Sequence, residues 1–344
     1  MGCYAEVSGE KGTVKDKMMK LLRLHGIGDV RLHEGPSPQP QIGEVLLQVT
    51  AVGICGSDIH WFSEGTTGAA DFSEPFVLGH EFAAVVDSGE MRGMRVAVEP
   101  QVACGHCSYC VEGNPNLCPD HYFAGQAPQD GALCQTMCWP EANVFPIPDS
   151  ISDEAGALLE PLGVAIHTVD LGQLQTGMRI GVYGCGPIGL MVVQLARLSG
   201  AVEIVATDKL PHRLAAAQRL GATTVFCADD TKNIPEVDVA FEVAGDQGAV
   251  DTAVETCKPG GRVILCGIPA DDKTSFKASS ARRKELTIKV VRRMKHTYPR
   301  AINLAASGLI DVESLITHRF SLDESAEAFK VAQAREGLKV VIKP

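Results

Sequence analysis

Hydrophobic and polar positions divide the 344-residue chain into two regimes. Between residue 20 and about 148, short stretches that alternate apolar and polar residues, as at 44–51 and 82–86, are separated by Gly and Pro. Period-two alternation broken by turn residues predicts an irregular β domain rather than strand–helix–strand units. Beyond it, short apolar runs recur at 180–183, 203–207, 224–227, 238–242, 262–266 and 286–291. Helical stretches lie between them, for example 211–220 closed by Gly221 and 247–257 before Pro259-Gly260-Gly261. Six strands alternating with helices predict a doubly wound parallel sheet. The expected fold class is therefore α/β, a β-rich domain joined to a six-stranded doubly wound one. A helix from Tyr298-Pro299 to 307, a strand at 316–320, a helix at 323–334 capped by Ser321 or Asp323, and a strand at 338–342 complete the chain, and nothing repeats internally.

The segment 179–208, RIGVYGCGPIGLMVVQLARLSGAVEIVATD, carries the first chemistry. A strand leads into Gly184-Cys185-Gly186-Pro187-Ile188-Gly189, a helix follows to about Ser199 with Gly200 as its left-handed cap, and the next strand ends on Asp208. Gly184 permits the tight turn, Gly186 lets backbone approach a pyrophosphate, and Gly189 lets helix pack on strand. Pro187 suits the first helical turn, where an amide hydrogen has no partner. Freed amides and the helix dipole favour a phosphate there. The strand–turn–helix context and the terminal acid make this a dinucleotide site rather than an ordinary packing turn. Asp208 accepts from a ribose 2′-OH and repels a 2′-phosphate, favouring NAD over NADP, while Lys209 and Arg213 nearby pull the other way. Val243-Ala244-Gly245 and Cys266-Gly267-Ile268 end the fourth and fifth strands, at the edge where a nicotinamide would rest; a plain turn is the alternative.

Composition narrows the partners. A formal charge of −11 argues against nucleic acid or an anionic membrane. The longest apolar run, 180–196, is broken by Gly, Pro and Gln. Residues 1–18 read as a loose polar extension without a signal core, and Glu6 stands where a myristoylation signal after Gly2 wants Ser or Thr. Twelve cysteines suit a reduced, cytoplasmic protein better than a disulfide framework, because four of them share metal spacing and most others sit in apolar strands.

Those four, Cys104, Cys107, Cys110 and Cys118, can close a tetrahedral thiolate shell on zinc, leaving no position for substrate. His106 inside the loop is surplus. The segments GICGSDIH (53–60) and GHE (79–81) offer a second, dispersed set. Cys55 and His80 supply a thiolate and an imidazole, with Glu81 or a distant carboxylate to complete an open, catalytic shell. From spacing alone, the alternative is that Cys55 is a small core residue and His80 a satisfied surface histidine. Glu160, flanked by leucines, is either a buried acid needing a partner or the exposed first-turn acid of a helix.

GICGSDIH, GHE, the four-cysteine loop, EPLGVAIH (160–167), GCGPIG (184–189) and THRF (317–320) together resemble the zinc-containing medium-chain dehydrogenases, most closely their polyol branch. The resemblance runs from about residue 20 to the C-terminus. It implies a GroES-like catalytic domain at 19–163 and 299–344 with a Rossmann domain at 164–298. It implies a catalytic zinc on Cys55, His80 and Glu81, with Glu160 as fourth ligand or water-bridged partner, alongside the structural zinc. Ser57 then contacts the substrate oxygen, His60 passes its proton to solvent, and Asp58 orients a ligand such as His80. An Arg–Tyr pair that reaches a substrate hydroxyl falls on Arg293-Met294, so the arginine is kept and the tyrosine lost. A second tyrosine is replaced by Trp61, placing Trp61 on the substrate. The loop 87–96 is short and lacks the usual acid of GDRV.

The expected activity is hydride transfer from a secondary alcohol, a polyol in the first place, to NAD, in a cytoplasmic homodimer or homotetramer. Threonine, a sugar or a simple alcohol are the alternatives within the class. A non-catalytic NAD-binding scaffold is the alternative outside it, and would not need Cys55, His80 and Glu160.

Overall fold

The computed structural model describes residues 17–67 and 72–344. Residues 1–16, with Gly2 and Glu6, lie outside the described residues. Met18, expected in the loose extension, already belongs to the strand Met18–Gly26, which pairs antiparallel with Asp29–Pro36.

The β-rich part is organised on a seven-stranded sheet to which both ends of the chain contribute. Strand Glu44–Gly53 is its hub. On one side it pairs with Glu81–Val86, which continues to Arg95–Val98 and Val144–Pro146; on the other it pairs with the C-terminal strand Lys339–Lys343 and, through that, with Ile316–Ser321. Leu47, Val49, Ala51 and Val52 are buried on this hub. Arg95 follows Met94, which stands where GDRV has its acid, and pairs with Asp153, with Nη2 2.7 Å from Oδ1.

The second part is a six-stranded, all-parallel sheet in the order Thr224–Cys227, Glu203–Asp208, Arg179–Tyr183, Val237–Glu242, Cys257–Leu265 and Thr287–Val290. Its inner strands are buried on both faces, as parallel strands covered by helices must be. The fifth strand begins at Cys257 rather than at 262. Pairing runs from Val237 to Cys257 and then jumps from Val239 to Arg262, so the Pro-Gly-Gly run is accommodated as a bulge, with Gly260 at φ +73°. The expected helix at 323–334 opens as a 3-10 turn, Leu322–Glu324, and continues as Ser325–Ala334. Ser321 is its cap, and Glu324 reaches back to accept from the Ser321 amide at 2.9 Å.

The helix Leu159–Gly172 runs unbroken across position 163/164 and packs between the two sheets. It is buried from Leu159 to Gly163, which settles one alternative: Glu160 is an interior acid, not an exposed one.

Candidate active site

Strand register assembles the dispersed set. Gly53 lies opposite Glu81 on one side and opposite Val341 on the other. Cys55 follows as the N-cap of the helix Gly56–Glu64. Two glycines make the approach possible. A Cβ on Gly53 would collide with the Glu81 carboxylate, and Gly79 turns at φ +93°, where a Cβ would meet Val52 at 2.8 Å. Cys55 Sγ, a ring nitrogen of His80 and a carboxylate oxygen of Glu81 consequently lie within 4.8 Å of one another. A thiolate, an imidazole and a carboxylate at that separation fit a zinc ion with a coordination position to spare.

Asp58 braces this set from inside. It is 1% exposed; Oδ2 accepts from the Cys55 amide at 2.9 Å and Oδ1 from the Gly79 amide at 3.2 Å. Its Oδ1 is 3.6 Å from His80 Nδ1, a charge contact too long for a hydrogen bond. The expected orienter of His80 therefore acts mainly by clamping the backbone on both ligand-bearing segments. Burial disfavours the His80 imidazolium, yet Asp58 and Cys55 outweigh it and hold its pKa well above the usual value, so the metal-free set attracts positive charge.

Lys339 was not found by sequence reading. Its ammonium, 3% exposed, pairs with Glu81 and donates to the Ile54 carbonyl at 2.9 Å. The signal was a lysine at the start of an apolar strand, but its partner depends on pairing with segments 285 residues away. Removing one member of a buried ion pair leaves the other charge uncompensated. The Lys339→Met variant is expected to lose about 3–5 kcal/mol of stability, read from a lower urea midpoint, and an unchanged midpoint would contradict the pairing.

Glu160 lies outside the 4.8 Å group but borders it. Burial pushes its pKa up to about 7, with His80, Lys339 and Arg293 opposing the rise and Glu81 adding to it. Arg293 is half-buried: its guanidinium lies 4.0 Å over the Phe123 ring and donates to Gln101 Oε1 at 3.0 Å and Gln126 Oε1 at 2.7 Å. Burial lowers its pKa to about 9, and Glu160 works against that. Ser57 and His60 sit on the first turns of the helix Gly56–Glu64, with His60 Nδ1 3.1 Å from Glu64 Oε2. Trp61 corrects the sequence expectation. At 2% exposure it packs edge-on against Phe72 and Phe76, so the indole fills the core and has no face to offer a substrate.

In the four-cysteine loop the sulfurs also lie within 4.8 Å of one another. Cys104–Cys110 at 4.0 Å and Cys107–Cys118 at 3.9 Å match the edge of about 3.8 Å that a tetrahedron with Zn–S bonds of about 2.3 Å requires. Amides of His106 and Cys107 point at Cys104 and draw its pKa down to about 6, while burial and the neighbouring thiols push Cys110 up to about 12. All described cysteines are free.

At the glycine turn, Gly184 has φ +110°, Gly189 packs against the Gly184 carbonyl, and Gly186 caps the helix Pro187–Leu198. A Cβ on Gly186 would meet protein only at Arg213 Nη1, 3.8 Å away, so the space that this glycine opens is left to something else. Arg213 Nε beside it is buried without a partner among the described residues. Both features fit a dinucleotide. Asp208 Oδ2 accepts from the Cys185 amide at 2.8 Å and Oδ1 from the Leu210 amide at 2.9 Å, so this acid also ties the turn to the second strand. Val243, Cys266, Gly267 and Ile268 come together at the carboxyl ends of strands four and five, and a Cβ on Gly267 would strike Gly245. Glu242, missed by the sequence reading, holds these loops: Oε1 accepts from Ala244 at 2.8 Å and Gly245 at 2.7 Å.

Comparison with known proteins agrees with this architecture. Residues 41–149 match the alcohol dehydrogenase GroES-like domain and residues 187–307 the zinc-binding dehydrogenase domain. Sorbitol dehydrogenase of Bacillus subtilis (strain 168) is 38% identical over 343 residues, covering 95% of this chain and 97% of that protein. A solved dehydrogenase from Sinorhizobium meliloti 1021, described as zinc-binding and bound to NADP, superposes with a TM-score of 0.88 at 29% identity, covering 95% of this chain and 100% of that one. A protein from E. coli CFT073 described as a short chain alcohol dehydrogenase, complexed with NADH, gives a TM-score of 0.87 at 29% identity, covering 95% of this chain and 99% of that one. Among the described residues no helix is long and apolar enough to cross a membrane. A GroES-like sheet that gathers Cys55, His80 and Glu81, and a Rossmann domain with an intact glycine turn, belong to an oxidoreductase that uses zinc and a nicotinamide cofactor, and the chain is a member of the zinc-dependent alcohol dehydrogenase family.

Proposed function

We propose that the chain oxidises a polyol at a secondary carbinol and passes the hydride to NAD, giving a ketose, with one catalytic and one structural zinc per chain. The observation that carries this is the convergence of Cys55, His80 and Glu81 beside a half-buried, still cationic Arg293. A simple alcohol needs no half-buried cation near the reacting carbon; a polyol has further hydroxyls for it to hold.

Bound here, zinc would supply a Lewis acid that eases loss of the hydroxyl proton, and the nicotinamide would accept the hydride. Ser57 contacts the reacting hydroxyl and hands its proton to His60. Glu64, holding Nδ1, leaves Nε2 as the ring atom that takes up the proton and then releases it to solvent. Glu160, whose pKa of about 7 lies near neutrality, exchanges a proton with water or substrate beside Cys55 and His80. Gly184, Gly186, Pro187, Ile188 and Gly189 cradle the pyrophosphate; Val243, Cys266, Gly267 and Ile268 border the nicotinamide. Arg213 lies along the adenosine side.

Asp208 supports NAD over NADP. In Asp208→Asn the repulsion of a 2′-phosphate disappears while an amide acceptor remains. The ratio of kcat/KM for NAD to that for NADP is expected to fall at least about tenfold, equivalent to about 1.4 kcal/mol, and an unchanged ratio would contradict the assignment. Cytoplasmic location is supported by the free cysteines, and a homodimer or homotetramer by the exposed edge strand Thr287–Val290.

Initial rates with sorbitol, xylitol, threonine and 2-butanol, each with NAD and NADP, test the reading. The highest kcat/KM is expected for a polyol with NAD. Threonine or 2-butanol in first place would replace the substrate, and no turnover from zinc-loaded protein would favour the scaffold.

A further inference from the structure

We propose that Asn116 and Gln101 are positioning residues for Arg293, so that the four-cysteine loop sets how the distal hydroxyls of a polyol are held. This rests on the reading of Arg293 as a substrate contact.

Arg293 stands at φ +52°, a left-handed conformation that non-glycine residues avoid. Something must hold it there, and three consecutive residues of the metal loop do. Asn116 Nδ2 donates at 3.0 Å to the Arg292 carbonyl, in the peptide bond that leads into Arg293. Lys295 Nζ donates at 2.7 Å to Asn114 Oδ1 on the far side. Between them, the Pro115 carbonyl accepts from Gln101 Nε2 at 2.6 Å, which turns Gln101 Oε1 toward Arg293 Nη1. Asn116 and Gln101 are 5% and 7% exposed, so neither link competes with bulk water. Asn114, Pro115 and Asn116 lie between Cys110 and Cys118, inside a loop that four sulfurs close on themselves.

The chemistry of the partners matters as much as their position. Gln101 and Gln126 hold the guanidinium through neutral amide oxygens, and Phe123 covers one face. A carboxylate in their place would neutralise the charge. With amides, two of five N–H groups are used and the positive charge remains for substrate oxygens. The closed metal loop thereby acts on the open site without contributing a ligand to it.

The test is a double-mutant cycle on the zinc-loaded enzyme with sorbitol and NAD, using Asn116→Leu and Arg293→Leu. Each single variant is expected to raise the KM for sorbitol about tenfold, a factor worth about 1.4 kcal/mol, with kcat nearly unchanged. In the Arg293→Leu background, Asn116→Leu should add little, because what it positions is gone. A loop that is merely structural would lower the amount of active enzyme in both backgrounds and leave KM alone. Additive effects, or no KM change in Asn116→Leu, overturn the positioning role. No KM change in Arg293→Leu overturns the underlying reading instead. If Asn116→Leu fails to retain its metal, Gln101→Met probes the same link and is subject to the same outcomes.

Discussion

In Cys55→Ser, polyol oxidation is expected to fall by about a thousandfold in kcat/KM, equivalent to about 4 kcal/mol of transition-state stabilisation. The change removes one atom type and little else. A thiolate is a soft, anionic zinc ligand, and a serine hydroxyl at neutral pH is neither. Position 55 is also the N-cap of the helix Gly56–Glu64, where serine is a preferred residue. The fold should therefore hold, with the melting midpoint of the metal-free protein unchanged or raised and that of the zinc-loaded protein lowered only by the binding energy of the lost ion. Zinc content should drop from two to one per chain, the remaining ion being that of the four-cysteine loop. Loss of activity with both ions retained would place the defect elsewhere.

The opposite signature is expected at Cys118→Ser. Cys118 is 2% exposed, its sulfur accepts from the Cys104 amide at 3.3 Å, and it lies 3.9 Å from Cys107 Sγ. Opening a closed thiolate shell removes metal-binding energy that is folding energy for the loop. The melting midpoint should fall by on the order of 10 °C, with one zinc lost per chain. Activity per remaining folded molecule should fall far less than in Cys55→Ser. Calorimetry and metal analysis on the two variants side by side thus separate the two centres. Equal damage to stability and activity in both would mean that the centres do not have distinct roles.

The parts that could be read from sequence are those whose determinants are local. The glycine turn needs only a strand, a turn, a helix and an acid within one short stretch, and in the structure Gly184 and Gly200 take positive φ at the turn and past the helix end, with Asp208 closing the second strand. The four-cysteine loop was equally legible, because short spacings leave the sulfurs nowhere else to go. Cys55, His80 and Glu81 were ambiguous by spacing, and what joins them is the register that sets Gly53 against Glu81. Lys339 and the pairing of Asn116 with Arg292 were not legible at all, since each depends on how segments more than a hundred residues apart are laid side by side. Trp61 shows the opposite failure. Its place in a motif suggested a substrate contact, but a large apolar ring next to Phe72 and Phe76 gains more from burial than from the cleft. Asp58 was expected to orient His80; in the structure it accepts from backbone amides on both sides of the set rather than from the imidazole.

Anomalous diffraction at the zinc edge, from crystals grown with NAD, locates each ion without reference to activity. Two peaks per chain are expected, one enclosed by Cys104, Cys107, Cys110 and Cys118 and one bonded to Cys55 and His80 on the side facing the nicotinamide. A single peak in the four-cysteine loop, or a second ion that leaves Cys55 and His80 uncoordinated, would contradict the account.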